Sequence, residues 1–240
     1  MALAATRAQA LAADPRLIVP LDLPSRAAAE AMVERLADTV SFYKIGLQLL
    51  AAGGAEMARD LRRRGRQVFL DWKLHDIGAT VEMATAAVAA SDGCDFVTVH
   101  AEPQVLAAAV RGKAGAPIRI LGVTVLTSLG GQDLAEIGYS LSVEALVERR
   151  IRQTLDAGAD GVVASPREAA LARRIGGPGF LVVTPGVRPT WASLDDQARA
   201  ETPAFALAEG ASHIVCGRPI TAAADPAAAA RTIAEEMASV

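Results

Sequence analysis

Aromatic side chains are scarce in this sequence, at 4% of 240 residues, and cysteine is scarcer still, with two. Hydrophobic residues nonetheless reach 52%, much of it alanine. That balance lies far from the disordered range and reads as alanine-rich helices around a core of Val, Ile and Leu. Cys94 and Cys216 are too few for a disulfide framework and lack metal-ligand spacing. Both read as small buried hydrophobes, and the cytoplasm is the default location. The net charge is −3 with no basic block, which argues against nucleic acid as a partner. No apolar run is long enough to span a bilayer, so no membrane association is expected. The first residues, MALAATRAQALAADPR, lack a continuous apolar core because Arg7 interrupts it. They read as an ordinary helix or a frayed end rather than a signal peptide.

What the chain does have is a regular alternation. Short runs rich in Val, Ile and Leu recur at Leu17–Asp22, Phe42–Ile45, Gln67–Lys73, Phe96–Ala101, Ile118–Val125, Gly161–Ala164, Phe180–Pro185 and His213–Gly217. They lack strict polar alternation, as strands buried on both faces of a parallel sheet do. Helical segments fall between them: one from Ser25 to about Ala37, then Leu47–Arg64, Ala79–Ser91, Pro103–Arg111, Val143–Ala157, Pro166–Ile175, Pro203–Glu209 and Pro226–Ser239. Ser142 is a suitable N-cap, and Pro166, Pro203 and Pro226 fit first-turn positions. Gly65, Gly158 and Gly210 fit left-handed C-caps. Eight such pairs predict a (β/α)8 TIM barrel in a single domain spanning 1–240. A doubly wound open sheet is the weaker reading, since no G-x-G-x-x-G turn follows the first strand. Two loops are long, Thr127–Leu141 and Val187–Thr202, and the second is a candidate lid at about 187–202.

In a barrel, reactive groups gather where strands end. Asp22, Lys44, Asp71, Lys73 and His100 stand at or near such ends; Thr127, Ser128, Arg188 and Arg218 follow others. Asp71 and Lys73 are two apart and so share one side of a strand. A barrel-closing salt bridge is the plain reading of that pair, but polar residues collect at the same rim of the other strands. Lys44 adds a second cation and Asp76 a second anion. An alternating Lys–Asp–Lys–Asp array keeps both amines charged, which makes Lys73 a proton donor rather than a Schiff-base nucleophile.

The second signal is Val183-Thr-Pro-Gly-Val-Arg188 together with Ile214-Val-Cys-Gly-Arg-Pro219. Strands seven and eight of barrels often form a phosphate site. Gly186 and Gly217 permit close backbone approach, and Arg188 and Arg218 offer forked donors. His75, His100 and His213 have no ligand-set spacing, so no metal is expected. His75 reads as a packing residue, as do Trp72 and Trp191.

At these residues the sequence resembles the orotidine 5'-phosphate decarboxylase family in its bacterial form, from Leu17-Ile-Val-Pro-Leu-Asp22 to Gly217-Arg-Pro-Ile-Thr221. The D-x-K-x-x-D-I segment, here Asp71, Lys73, Asp76 and Ile77, carries the likeness. Tyr43-Lys44-Ile-Gly46, Thr98-Val-His-Ala101, Val123-Thr-Val-Leu-Thr-Ser128 and Thr184-Pro-Gly-Val-Arg-Pro189 support it. The resemblance implies cofactor-free decarboxylation of orotidine 5'-phosphate to uridine 5'-phosphate, the last step of de novo pyrimidine synthesis. It implies Lys73 as proton donor to C6 and Asp71 beside the substrate carboxylate. Asp22 and Lys44 would hold ribose hydroxyls, and Thr127 would meet the pyrimidine edge. Arg188, Gln197, Gly217 and Arg218 would grip phosphate. It also implies a homodimer in which Asp76, Ile77 and Thr80 reach the neighbouring site. Gly78-Ala79 departs from the family's usual Pro-Asn. Two other readings stay open on sequence: a magnesium-dependent sugar-phosphate decarboxylase or aldolase of the same superfamily, and a non-catalytic nucleotide sensor. Lys44 stands where the former carries an acidic residue.

Overall fold

The computed structural model describes residues 13–192 and 201–240. Its centre is a closed barrel of eight parallel strands in sequence order. These are β1 (Leu17–Pro20), β2 (Phe42–Gly46), β3 (Gln67–Leu74), β4 (Phe96–His100), β5 (Arg119–Val123), β6 (Gly161–Val163), β7 (Leu181–Thr184) and β8 (His213–Val215). β8 closes the ring on β1, with Leu17 opposite Ile214. The open-sheet alternative therefore falls. Each strand is shorter at one or both ends than its apolar run, except β2 and β3, because the last residues of each run leave the ladder to form the rim.

Two buried layers result. One packs the outer strand faces against the helices. The other fills the lumen with Ile18, Phe42, Phe69, Phe96, Leu121, Val183 and Val215. Three of the five phenylalanines thus plug the ring, and the core is not made of aliphatic residues alone. Phe96 meets Phe42 edge-on at 5.0 Å and Phe69 at 6.0 Å between ring centroids. His213 seals the plug against Phe42 and Phe96 at 5.8 and 5.1 Å.

The helices are α1 (Arg26–Leu36), α2 (Leu47–Leu50), α3 (Gly54–Arg63), α4 (Gly78–Ala90), α5 (Pro103–Lys113), α6 (Gly131–Glu136), α7 (Val143–Asp156), α8 (Ala169–Gly176), α9 (Pro203–Ala208), α10 (Arg218–Thr221) and α11 (Pro226–Met237). Ser25 and Ser142 cap α1 and α7 by accepting from the amides of Ala28 and Ala145. Gly65, Gly158 and Gly210 all have positive φ, as C-caps before strands require.

Four expectations need correction. The helix read over Leu47–Arg64 is two helices, because Gly53 is left-handed at φ 84° and redirects the chain. The segment read as a helix from Pro166 begins with a separate 3-10 turn before α8. The loop Thr127–Leu141 contains α6, and α10 follows β8 directly. Trp191, read as packing, is half exposed at 50%. The N-terminal stretch falls largely outside the described residues, as does half of the candidate lid, residues 193–200. Among the described residues no helix is long and apolar enough to cross a membrane.

Candidate active site

Period-two alternation that sends Phe42 and Phe69 into the lumen also sends Lys44 and Asp71 there, two residues nearer the rim. The register places Lys44 opposite Phe69 and Gly46 opposite Asp71. Asp22 lies two residues beyond β1, where Leu21 N–H donates to the Lys44 carbonyl. The result is a chain of alternating charge. Lys44 Nζ is 3.1 Å from both Asp22 oxygens and 3.3 Å from Asp71 Oδ2. Lys73 Nζ donates to Asp71 Oδ1 at 2.8 Å. Exposure falls inward: the Asp22 side chain is 48% exposed, Lys73 26%, Asp71 13% and Lys44 10%. Burial pushes the Asp71 carboxyl up. The Lys44 and Lys73 charges, with hydrogen bonds from Lys73 and Thr98, outweigh it and hold the group below its usual value.

Lys73 does not reach this position by alternation alone. The β3–β4 register jumps, with Leu70 opposite Val97 and Leu74 opposite Val99. Three residues, 71 to 73, therefore face the single residue Thr98. Within this bulge Lys73 takes a left-handed backbone, φ 48°. That conformation is uncommon for a residue with a side chain and concentrates at functional sites.

A cavity of about 500 Å³ opens over these groups. It is lined by Asp22, Lys44, Asp71, Lys73, Thr127, Gly186, Arg188, Gly217 and Arg218, over a floor that includes Phe69, Val123 and Val215. Arg188 is 6% exposed, and its Nε is buried without a hydrogen-bond partner among the described residues. A buried guanidinium N–H left open in a cavity wall invites an anion. The stem of the candidate lid is pinned here: Val187 bridges to Glu201, and Arg188 N–H donates to the Glu201 carbonyl at 2.9 Å.

Not every sequence candidate joins this cavity. Asp76, Ile77 and Thr80 sit at the start of α4, exposed and outside it. Asp76 accepts from the Ile77 amide at 2.6 Å, and Ile77 is 71% exposed. Within one chain the alternating array thus ends on Asp22, not on Asp76. Gln197 lies outside the described residues. His75, read as packing, is instead 55% exposed; its ring lies tilted against that of His100 at 4.8 Å and is 3.7 Å from Glu102. Glu102 is held by Arg150 at 3.0 Å. Burial lowers the His100 pKa against the opposing pull of Glu102.

A profile of the orotidine 5'-phosphate decarboxylase / HUMPS family matches residues 15–233. The chain belongs to this family. It is 65% identical over 230 residues to an orotidine 5'-phosphate decarboxylase of Caulobacter sp. strain K31, covering 96% of this chain and all of that one. It is 54% identical to the enzyme of that name from Rhodopseudomonas palustris strain BisA53, over 92% of this chain and 94% of the relative. The crystal structure of orotidine 5'-phosphate decarboxylase from Lactobacillus acidophilus superposes with a TM-score of 0.82 at 36% identity, over 93% of this chain and 99% of that one.

Against this family background, two residues that sequence reasoning gave no role stand at the centre of the geometry. Thr98 Oγ1 donates to Asp71 Oδ1 at 3.0 Å and accepts from Lys73 N–H at 2.9 Å. Its sequence signals are a hydroxyl inside the apolar run Phe96–His100 and its place in the Thr98–Ala101 segment of the family likeness, and neither assigns it a role. Gly46 lies so close to the charges that a Cβ there would come within 2.5 Å of Asp22 Oδ1. A lone glycine at the end of an apolar strand carries no such message by itself.

Proposed function

We propose that this chain converts orotidine 5'-phosphate to uridine 5'-phosphate and carbon dioxide, as a cytoplasmic homodimer without metal or cofactor. The observation that carries the reading is a single cavity holding two unlike halves. At one side stand Asp71 and Lys73, 2.8 Å apart and fixed by Lys44 and Thr98. At another is the buried Arg188 with an open N–H, beside Arg218 and the left-handed Gly186. The first half suits proton delivery and the second a phosphate.

Decarboxylation breaks the bond between C6 and its carboxylate, and the electron pair stays on C6 as carbon dioxide leaves. An ammonium held close stabilises that pair and then donates its proton, so Lys73 ends as a neutral amine for solvent to reprotonate. Asp71 keeps the ammonium in place and sets a fixed negative charge beside the departing carboxylate. Asp22 and Lys44 would hold ribose hydroxyls, and Thr127 the pyrimidine edge. Arg188, Gln197, Gly217 and Arg218 would take the phosphate. Binding energy from that remote group can close the segment 187–202 and exclude water. The pinned Val187–Glu201 stem leaves such a lid a fixed base.

The family description spans a second branch, so the relatives matter more than the profile. Those at 54–65% identity over nearly full length carry the decarboxylase name, and neither the sugar-phosphate nor the sensor reading gains support. The test is the fall in orotidine 5'-phosphate absorbance with purified, metal-stripped protein. Turnover that persists in chelator is expected. No turnover, or turnover only when magnesium is restored, would overturn the proposal.

A further inference from the structure

The bulge in β3 poses a problem of backbone accounting. Where the β3–β4 ladder skips from Leu70/Val97 to Leu74/Val99, residues 71–73 lose regular partners on β4. A buried backbone N–H without a partner is costly, and a left-handed residue with a side chain persists only when its surroundings hold it. Both considerations bear on Lys73, whose amide is partly buried and whose φ is 48°. The group that answers for it is a side chain: the Thr98 hydroxyl accepts from Lys73 N–H at 2.9 Å.

That same hydroxyl donates its own proton to Asp71 Oδ1 at 3.0 Å. Its single proton and one of its two acceptor lone pairs are thereby used on the two members of the reacting pair. Asp71 Oδ1 also receives Lys73 Nζ at 2.8 Å, which closes a ring from Lys73 amide through Thr98 and Asp71 back to the Lys73 ammonium. Thr98 is fully buried at 0% exposure. Its β-branched side chain in a strand has restricted χ1 freedom, so the oxygen's direction is set by β4 rather than by the groups it holds.

We infer that Thr98 is a positioning residue for the reaction: its one hydroxyl holds the Lys73 backbone in its left-handed turn and the Asp71 carboxylate in register with it. The inference rests on the reading of Asp71 and Lys73 as the reacting pair. It adds that their geometry is set from the neighbouring strand and not by their mutual attraction alone. Two free ends attracting each other would settle into many solvated geometries; a ring through a rigid third residue allows few.

Thr98→Val keeps shape and branching but removes both hydrogen bonds. With orotidine 5'-phosphate as substrate, kcat should fall by roughly 10- to 100-fold, the range for hydrogen bonds that involve charged groups. Binding of uridine 5'-phosphate should stay within a factor of about three, because most of its contacts lie elsewhere in the cavity. Thr98→Ser, which restores the hydroxyl, should return most of the lost kcat. A change confined to structure would instead weaken nucleotide binding and thermal stability together. Equal kcat in folded Thr98→Val and wild type would overturn the inference, as would a loss that serine does not restore. Thr98→Ala serves if the valine variant does not fold; failure of both, with a stable Thr98→Ser, would assign Thr98 to folding and also overturn it. An inactive wild-type chain would sink the decarboxylase reading itself, a different outcome from active wild type with indifferent Thr98.

Discussion

Gly46 takes φ −91° and ψ −174°, a conformation open to any residue. What the site needs there is space. An added Cβ would stand 2.5 Å from Asp22 Oδ1 and 3.0 Å from Lys44 Nζ. Asp22 is the side chain able to yield, being half exposed, whereas Lys44 is enclosed. Gly46→Ala is therefore expected to push Asp22 off Lys44 and leave the barrel standing. A lost charge-assisted hydrogen bond costs about 1.5–3 kcal/mol, so kcat/KM should fall by roughly 10- to 100-fold with little change in Tm. In an Asp22→Ala background the same change should cost almost nothing, since the clash has gone. Steady-state kinetics of the four proteins decide it: additive losses would show that Gly46 acts through something other than Asp22. At this scale the sequence was legible where a charge meets a strand end. Asp22, Lys44, Asp71 and Lys73 could be picked out from position and type. Gly46 and Thr98 could not, because their importance lies in what a neighbouring strand places against them.

β8 illustrates the same limit for an element. Its run His213–Gly217 is readable as a strand, yet nothing local says that His213 faces the aromatic plug formed by Phe42 and Phe96. Burial there pushes its pKa from 6.5 down to about 4, with Asp14 pulling upward and Arg16 downward. The unfolded chain takes up this proton first as pH falls. Stability from a neutral His213 is thus complete above about pH 6.5 and is lost progressively towards pH 4, by up to about 3 kcal/mol. Carboxylates with lowered pKa, such as Asp14 and Asp71, act in a lower window, below their ordinary 3.8. Denaturant midpoints at pH 7 and pH 5 provide the test. Wild type should lose more stability over that interval than His213→Gln, which retains His100 and both aspartates. Equal losses would remove His213 as the source. Strand and helix positions were otherwise readable to within a few residues. The failures lie where glycine redirects a helix, at Gly53, and where a short helix hides in a polar loop, at Gly131–Glu136.

At the scale of the whole molecule, one set of residues has no place in the cavity of its own chain. Asp76, Ile77 and Thr80 lie outside the cavity, although they continue the segment that carries Asp71 and Lys73. Exposed apolar side chains include Ile77 itself at 71%, Met83 on α4 at 66%, and Leu47 and Leu50 on α2, after the neighbouring strand β2, at 56% and 44%. Burial of such a face against a second copy would favour association, and a two-fold axis would present each chain's α4 start to the other chain. The expectation is that each site combines Lys73 from one chain with Asp76 from its partner. Lys73→Ala and Asp76→Ala homodimers should both be nearly inactive. In a heterodimer of the two, one site carries both substitutions and the other carries neither. Heterodimers isolated through two different affinity tags should then show about half of wild-type turnover, since one of two symmetric sites is whole. If Asp76 served its own chain, every site in that heterodimer would lack one of the two residues, and the purified species would be as inactive as its parents.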